Sequence, residues 1–154
     1  MMMSVRSDWF FFTHHGTATM TLSKTLAAAL MATAVVAVLS LTSGATYLEN
    51  VLPGGLPVGN ALAALGVCAA AGTALALSAR GTKLRAIAVA SLIAAAAWLP
   101  VSIALAGNLA LNFHGSRGSA WVVFSLGVLA LVCGSLAWAL ASALLEKYRK
   151  PGPI

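Results

Sequence analysis

The sequence predicts an all-α integral membrane protein: a four-helix bundle of two antiparallel transmembrane hairpins, with both termini in the cytoplasm. Three observations lead there. Residues 25–43, 61–79, 86–106 and 120–145 carry no charged side chain, and each stretch is close to the ~20 residues that cross a hydrocarbon core about 30 Å thick. The chain is 60% hydrophobic and only 8% charged, where a soluble domain carries roughly 25% charge. Its nine Lys and Arg residues lie before, between and after the apolar stretches, never within them.

The placement of those cations sets the expected topology. Arg6 and Lys24 precede the first span, Arg80, Lys83 and Arg85 fill the second connection, and Lys147, Arg149 and Lys150 follow the fourth span. The first connection, 44–60, has no cation, and the third, 107–119, has only Arg117. Loops rich in Lys and Arg stay on the cytoplasmic side, so the eight-to-one division predicts an N-in, C-in protein. The expected setting is a bacterial inner (plasma) membrane. The net charge of +6 belongs to membrane edges rather than to a folded basic surface. It therefore predicts contact with anionic lipid and no nucleic-acid partner.

Residues 24–146 are expected to form the transmembrane bundle and 147–154 a basic cytoplasmic tail. The opening segment, 1–23, is unlike the rest, with Met1–Met3, an aromatic run from Trp9 to Phe12, and His14-His15. Two readings stay open. The segment is an interfacial anchor, because Trp and Phe favour the headgroup boundary, or translation begins at Met20. Lys24, an apolar core and Ser43-Gly44-Ala45 also match the layout of a cleaved signal peptide, which would leave three spans.

The first connection is dense in Pro and Gly (Pro53, Gly54, Gly55, Pro57) and reads as turns. The second, 80–85, is short enough to force its flanking helices into an antiparallel pair. Pro100 falls within the third span, where it removes a backbone hydrogen bond and favours a kink. Trp121 and Tyr148 stand at span ends as belt aromatics, whereas Trp98 and Trp138 lie deeper and are expected to touch neighbouring helices. Cys68 and Cys133 lie within spans, with no CxxC pattern, and read as small packing residues.

Helix association in lipid depends on close backbone approach and on hydrogen bonds between helices. Span two carries Gly59, Ala63, Gly66, Ala70 and Thr73, and span four carries Gly127, Ala130, Gly134, Ala137 and Ala141. Each set steps by three or four residues and forms one stripe on its helix. Both are candidate packing seams, within the chain or between subunits.

Candidate chemistry is sparse. An ionisable residue inside a span is a functional candidate by default, and these spans have none. No span contains His, which removes the usual ligands of a haem held between helices. No phosphate-cradling glycine loop, HExxH motif or nucleophile elbow is present. His14 and His15 are expected on the opposite side of the membrane from His114, so they form no common metal site. Glu49, Asn50, Asn108, Asn112, His114 and Arg117 gather on the expected outer face as a candidate interaction rim. Glu49 with His114 is the one conceivable acid–base pair there. Asn108 is expected to cap the third helix or, with Asn112, to face a partner or solute.

These features predict a non-enzymatic, small multi-pass membrane protein with no cofactor and no metal. It is expected to serve as an accessory or assembly subunit of a larger membrane complex, partnered by lipid and by other membrane-protein subunits or by itself. The alternative is a small oligomeric transporter or channel whose path is lined by Thr33, Ser40, Thr73, Ser91, Ser102 and Ser125.

Overall fold

A computed structural model describes the backbone of residues 12–149 and the side chains of residues 22–146 and Tyr148. Met1–Met3, Arg6, the run from Trp9 to Phe11, Lys150 and the last four residues lie outside the described residues. Four α-helices follow one another: α1 (Phe12–Thr42), α2 (Val58–Leu77), α3 (Lys83–Ala106) and α4 (Ser116–Arg149). All four are long and apolar enough to cross a membrane, with α1 contributing its Leu22–Thr42 portion. Among the described residues there is no β-strand, only an isolated bridge between Val51 and Pro57 and a 3-10 turn at Thr46–Glu49.

Local chemistry explains where the helices begin and end. The Thr82 hydroxyl accepts a hydrogen bond from the Arg85 backbone N–H at 3.2 Å and caps α3 in the usual way for a helix N-terminus. Gly107 ends α3 in the left-handed conformation at φ 71°, which glycine adopts without steric cost. Pro100 lies inside α3, and the helix continues through it to Ala106. The long α4 exceeds its apolar stretch at both ends, running from just after the turn at Gly115 (φ 60°) to Arg149.

The packing is centred on α2, which contacts α1, α3 and α4, while α1 rests almost wholly on α2. Antiparallel pairing of α1 with α2 is visible in its contacts. Ser23 Oγ donates to the Ala76 carbonyl, Leu30 approaches Gly72, and Ala37 approaches Gly66. Between α3 and α4, Ser91 Oγ donates to the Leu131 carbonyl at 3.2 Å. Further along, Trp98 Nε1 donates to Ser125 Oγ at 2.9 Å, and Trp121 Nε1 donates to Ser102 Oγ at 2.9 Å.

Two clusters fill the interior. Ala71, Ala95, Val128 and Val132 form one, and Ala74, Leu84, Ala88 and Ala139 form the other. The largest fully buried side chains are Thr73, Ser91, Ser102 and Ser135. An interior this small in side-chain volume implies closely spaced backbones, which is how helices in lipid gain dispersion contact when no hydrophobic drive brings them together. Thr73, Ser91 and Ser102 each donate to a carbonyl four residues earlier, so no buried side-chain polar atom among the described residues lacks a partner.

Substitutions at two glycines separate the packed surfaces from the open ones. A Cβ at Gly66 would meet the Ala37 Cβ at 3.0 Å, whereas one at Gly127 would meet nothing within 4 Å. Gly66→Val is expected to push α1 from α2 and to destabilise the fold by about 1–3 kcal/mol. Gly127→Val should change stability by less than about 0.5 kcal/mol. Denaturant titration of helicity in detergent micelles checks both.

Candidate helix-packing faces and loop cluster

The two candidate seams have different fates. On α2, Gly66 and Thr73 are buried, and Gly59, Ala63 and Ala70 are half-buried. A Cβ at Gly59 would lie 3.4 Å from the Leu48 carbonyl oxygen, so the connection folds back over the start of α2. On α4, by contrast, Gly127, Ala130, Gly134, Ala137 and Ala141 are all exposed. The helix turns Ser125, Val128, Val132, Ser135 and Ala139 inward instead. These residues follow the same three–four spacing but sit two positions away from the small stripe, about 200° around the helix.

Large-on-small complementarity accounts for that rotation. The α2 and α3 surfaces facing α4 offer Ala71 and Ala95, and Val128 and Val132 fill the space above them. The hydrogen bonds of Trp98 and Trp121 then hold the rotation at one end. Trp98 meets its neighbour helix as expected. Trp138 lies off the inward face of α4 and is 50% exposed, and it borders the start of α3 from one side.

Because α1 touches α2 but not appreciably α4, a groove of about 390 Å³ remains between α1 and α4. Ala34, Ala37, Gly66, Val128 and Val132 line its length, and Trp98 and Trp121 stand at one end. Cys133 borders this groove and Cys68 packs on the first core cluster; both thiols are free.

At the cation-poor end, the two long connections are tied together. Asn60 Nδ2 donates to the Leu109 carbonyl at 3.2 Å, joining the start of α2 to the α3–α4 connection. Gly107 ends α3 by its backbone conformation, and Asn108 bonds both the last carbonyl of that helix and the connection beyond it. Its Nδ2 donates to the carbonyls of Ala106 at 3.1 Å and Asn112 at 3.0 Å, and its Oδ1 accepts from the Asn112 backbone N–H at 3.0 Å. The bracket surrounds Leu111, the one non-glycine among the described residues with positive φ, at 57°. Such a conformation costs an L-residue roughly 1–2 kcal/mol, which the bracket offsets. Beyond it, Phe113 stacks on Trp121 with centroids 4.7 Å apart and covers the start of α4.

The remaining rim residues, Glu49, Asn50, Asn112, His114 and Arg117, are exposed. No hydrogen bond or ion pair joins Glu49 to His114, so the structure does not assemble that acid–base pair. Among the described residues, no three His, Cys, Asp or Glu side chains gather as metal ligands. Five of the six hydroxyls considered for a solute path, all but Ser40, are turned to other partners. Thr33 donates to the Ala29 carbonyl, Thr73, Ser91 and Ser102 donate to their own helix, and Ser125 accepts from Trp98. Pairing of Trp98 with Ser125 and of Trp121 with Ser102 was not anticipated from sequence, although both Ser–Trp pairs were visible as polar groups in spans that need partners.

No protein-family model matches the chain, and neither the curated proteins nor the solved structures include one similar to it.

The amide bracket is directly testable. Asn108→Ala removes both bonds to Asn112 and is expected to lower stability by about 1–2 kcal/mol. Asn108→Asp retains the acceptor and should lose less. Thermal unfolding of the full chain in detergent, followed by circular dichroism, distinguishes the two.

Proposed function

We propose that this chain is a non-enzymatic, multi-pass membrane protein that serves as an accessory or assembly subunit of a larger membrane complex. The observation that carries the proposal is the outward stripe Gly127, Ala130, Gly134, Ala137 and Ala141 on α4. A stripe of small residues lets a second helix approach closely enough for dispersion and Cα–H···O contacts, and none of the described residues covers it. Its partner is another membrane-protein subunit or a second copy of the chain.

The charge distribution supports an orientation in which the helices form two antiparallel hairpins in a bacterial inner membrane. The cation-rich end, with Lys24, Arg80, Lys83 and Arg85, is then cytoplasmic, and the rim of Asn108, His114 and Arg117 lies outside. The absence of ionisable groups from the spans supports a role in association rather than in proton-coupled chemistry. A transport path has less support, since Thr73, Ser91, Ser102 and Ser125 are buried and hydrogen-bonded among the helices.

Purification in mild detergent followed by native mass spectrometry tests the reading, with a co-purifying subunit or a defined oligomer expected. The double variant Gly127→Leu, Gly134→Leu should weaken that association by about tenfold, equivalent to ~1.4 kcal/mol, while helicity stays unchanged. A strictly monomeric wild-type chain with no companion protein overturns the proposal.

A further inference from the structure

At the cation-rich end, a hollow of about 260 Å³ lies between the start of α3 and the last turns of α4. Trp138, Ser142 and Glu146 line it from α4 and Lys83 from α3, with Leu77 of α2 at its apolar end. The three α4 residues are spaced by four and share one face of the helix. At 1.5 Å per residue they span about 12 Å along its axis. The order along that axis is an indole, a hydroxyl and a carboxylate.

None of these groups is engaged elsewhere. Among the described residues, Lys83, Trp138, Ser142 and Glu146 make no side-chain hydrogen bond or ion pair. Lys83 and Glu146 line the same hollow as opposite charges yet do not pair with each other. Trp138 is 50% exposed, unlike Trp98 and Trp121, whose indole N–H groups are bound.

We propose that this hollow holds one zwitterionic phospholipid with a primary-amine headgroup of the phosphoethanolamine type. Glu146 receives the headgroup ammonium, Lys83 the phosphate, the Ser142 hydroxyl donates to an ester carbonyl, and Trp138 with Leu77 lies along the upper acyl chain. The interfacial layer of one leaflet is about 5–7 Å thick, so side chains spread over about 12 Å of helix axis reach through it into the start of the hydrocarbon. The cations outside the hollow attract anionic lipid generally, but its own lining carries one cation and one acid. An anionic glycerol headgroup carries no ammonium for Glu146 to receive. A quaternary choline headgroup would offer it no N–H donor.

Native mass spectrometry of the full chain released from nanodiscs of equimolar phosphatidylethanolamine, phosphatidylcholine and phosphatidylglycerol tests the assignment. Retained ethanolamine lipid should exceed each of the others by about threefold, the scale of one partly exposed charge pair. Glu146→Gln should abolish the preference for ethanolamine over choline, and Lys83→Gln should lower retention of all three lipids. Ser142→Leu fills the hollow without altering charge and should reduce retained lipid, while Glu49→Gln at the opposite end should leave the pattern intact. Equal retention of the three lipids, preference for the glycerol lipid, or an ethanolamine preference that survives Glu146→Gln overturns the proposal.

Discussion

The rotation of α4 about its own axis is the constraint from which the rest of this architecture follows. Three hydrogen bonds across the α3–α4 contact hold it: Ser91 to the Leu131 carbonyl, Trp98 to Ser125, and Trp121 to Ser102. In lipid an unpartnered indole N–H or hydroxyl costs several kcal/mol. A turn of α4 large enough to bring its small stripe inward would break all three bonds at once. The bonds hold Val128 and Val132 over Ala71 and Ala95, and they hold Gly127, Ala130, Gly134, Ala137 and Ala141 outward. They also place Trp138 and Glu146 beside the start of α3.

A second consequence concerns α2. Its buried residues (Gly66, Ala69, Ala71, Thr73 and Ala74) are distributed around the helix rather than along one stripe, because three helices surround it. Glycine and alanine on that many sides let α1, α3 and α4 approach together. The helix α1 gains only the α2 contact, through Ala27, Ala34 and Ala37, and its remaining faces stay open. The groove beside α4 is the space left by that one-sided attachment. Closing it would require α1 to contact α4, and α1 offers Ala34, Ala37, Val38 and Leu41 on that side, with no polar group to bond across.

Charge-free runs of about 20 residues made the number of helices legible, since a helix that long pairs its own backbone across lipid while a barrel strand needs only about 9–11 residues. The ends of α2 and α3 were legible to within a few residues from the Pro–Gly connection and the short cationic one, whereas α1 begins at Phe12, well before its charge-free run. The phase of α4 was not. In an alanine-rich helix the inward set 125, 128, 132, 135 and 139 and the outward set 127, 130, 134, 137 and 141 have the same period. What separates them is the surface presented by α2 and α3, together with two Ser–Trp pairings formed at long sequence separation. Depth along a helix can be read from the sequence, but direction around it follows from the neighbours. The α3–α4 connection was half legible. Asn108 was marked as a backbone-bonding residue, yet its bracket with Asn112 depends on Leu111 adopting positive φ, which no local preference of leucine favours.

With α4 rotated as it is, its circumference divides into three adjoining strips. One packs on α2 and α3, one carries the small residues, and the third, between them, carries Trp138, Ser142 and Glu146. A helix seated on the small-residue strip would therefore stand next to whatever fills the hollow, sharing a border of one residue's width between Ala141 and Ser142. Binding energy at the two strips is then not independent. A lipid ordered in the hollow presents a defined acyl surface to an incoming helix instead of a mobile one, and part of the ordering entropy of association is removed before contact. Charge is excluded from the middle of this protein and recurs only at its boundaries, so specificity has to arise where an apolar strip meets a headgroup layer. On α4 that meeting point is the stretch of about two and a half turns from Trp138 to Glu146.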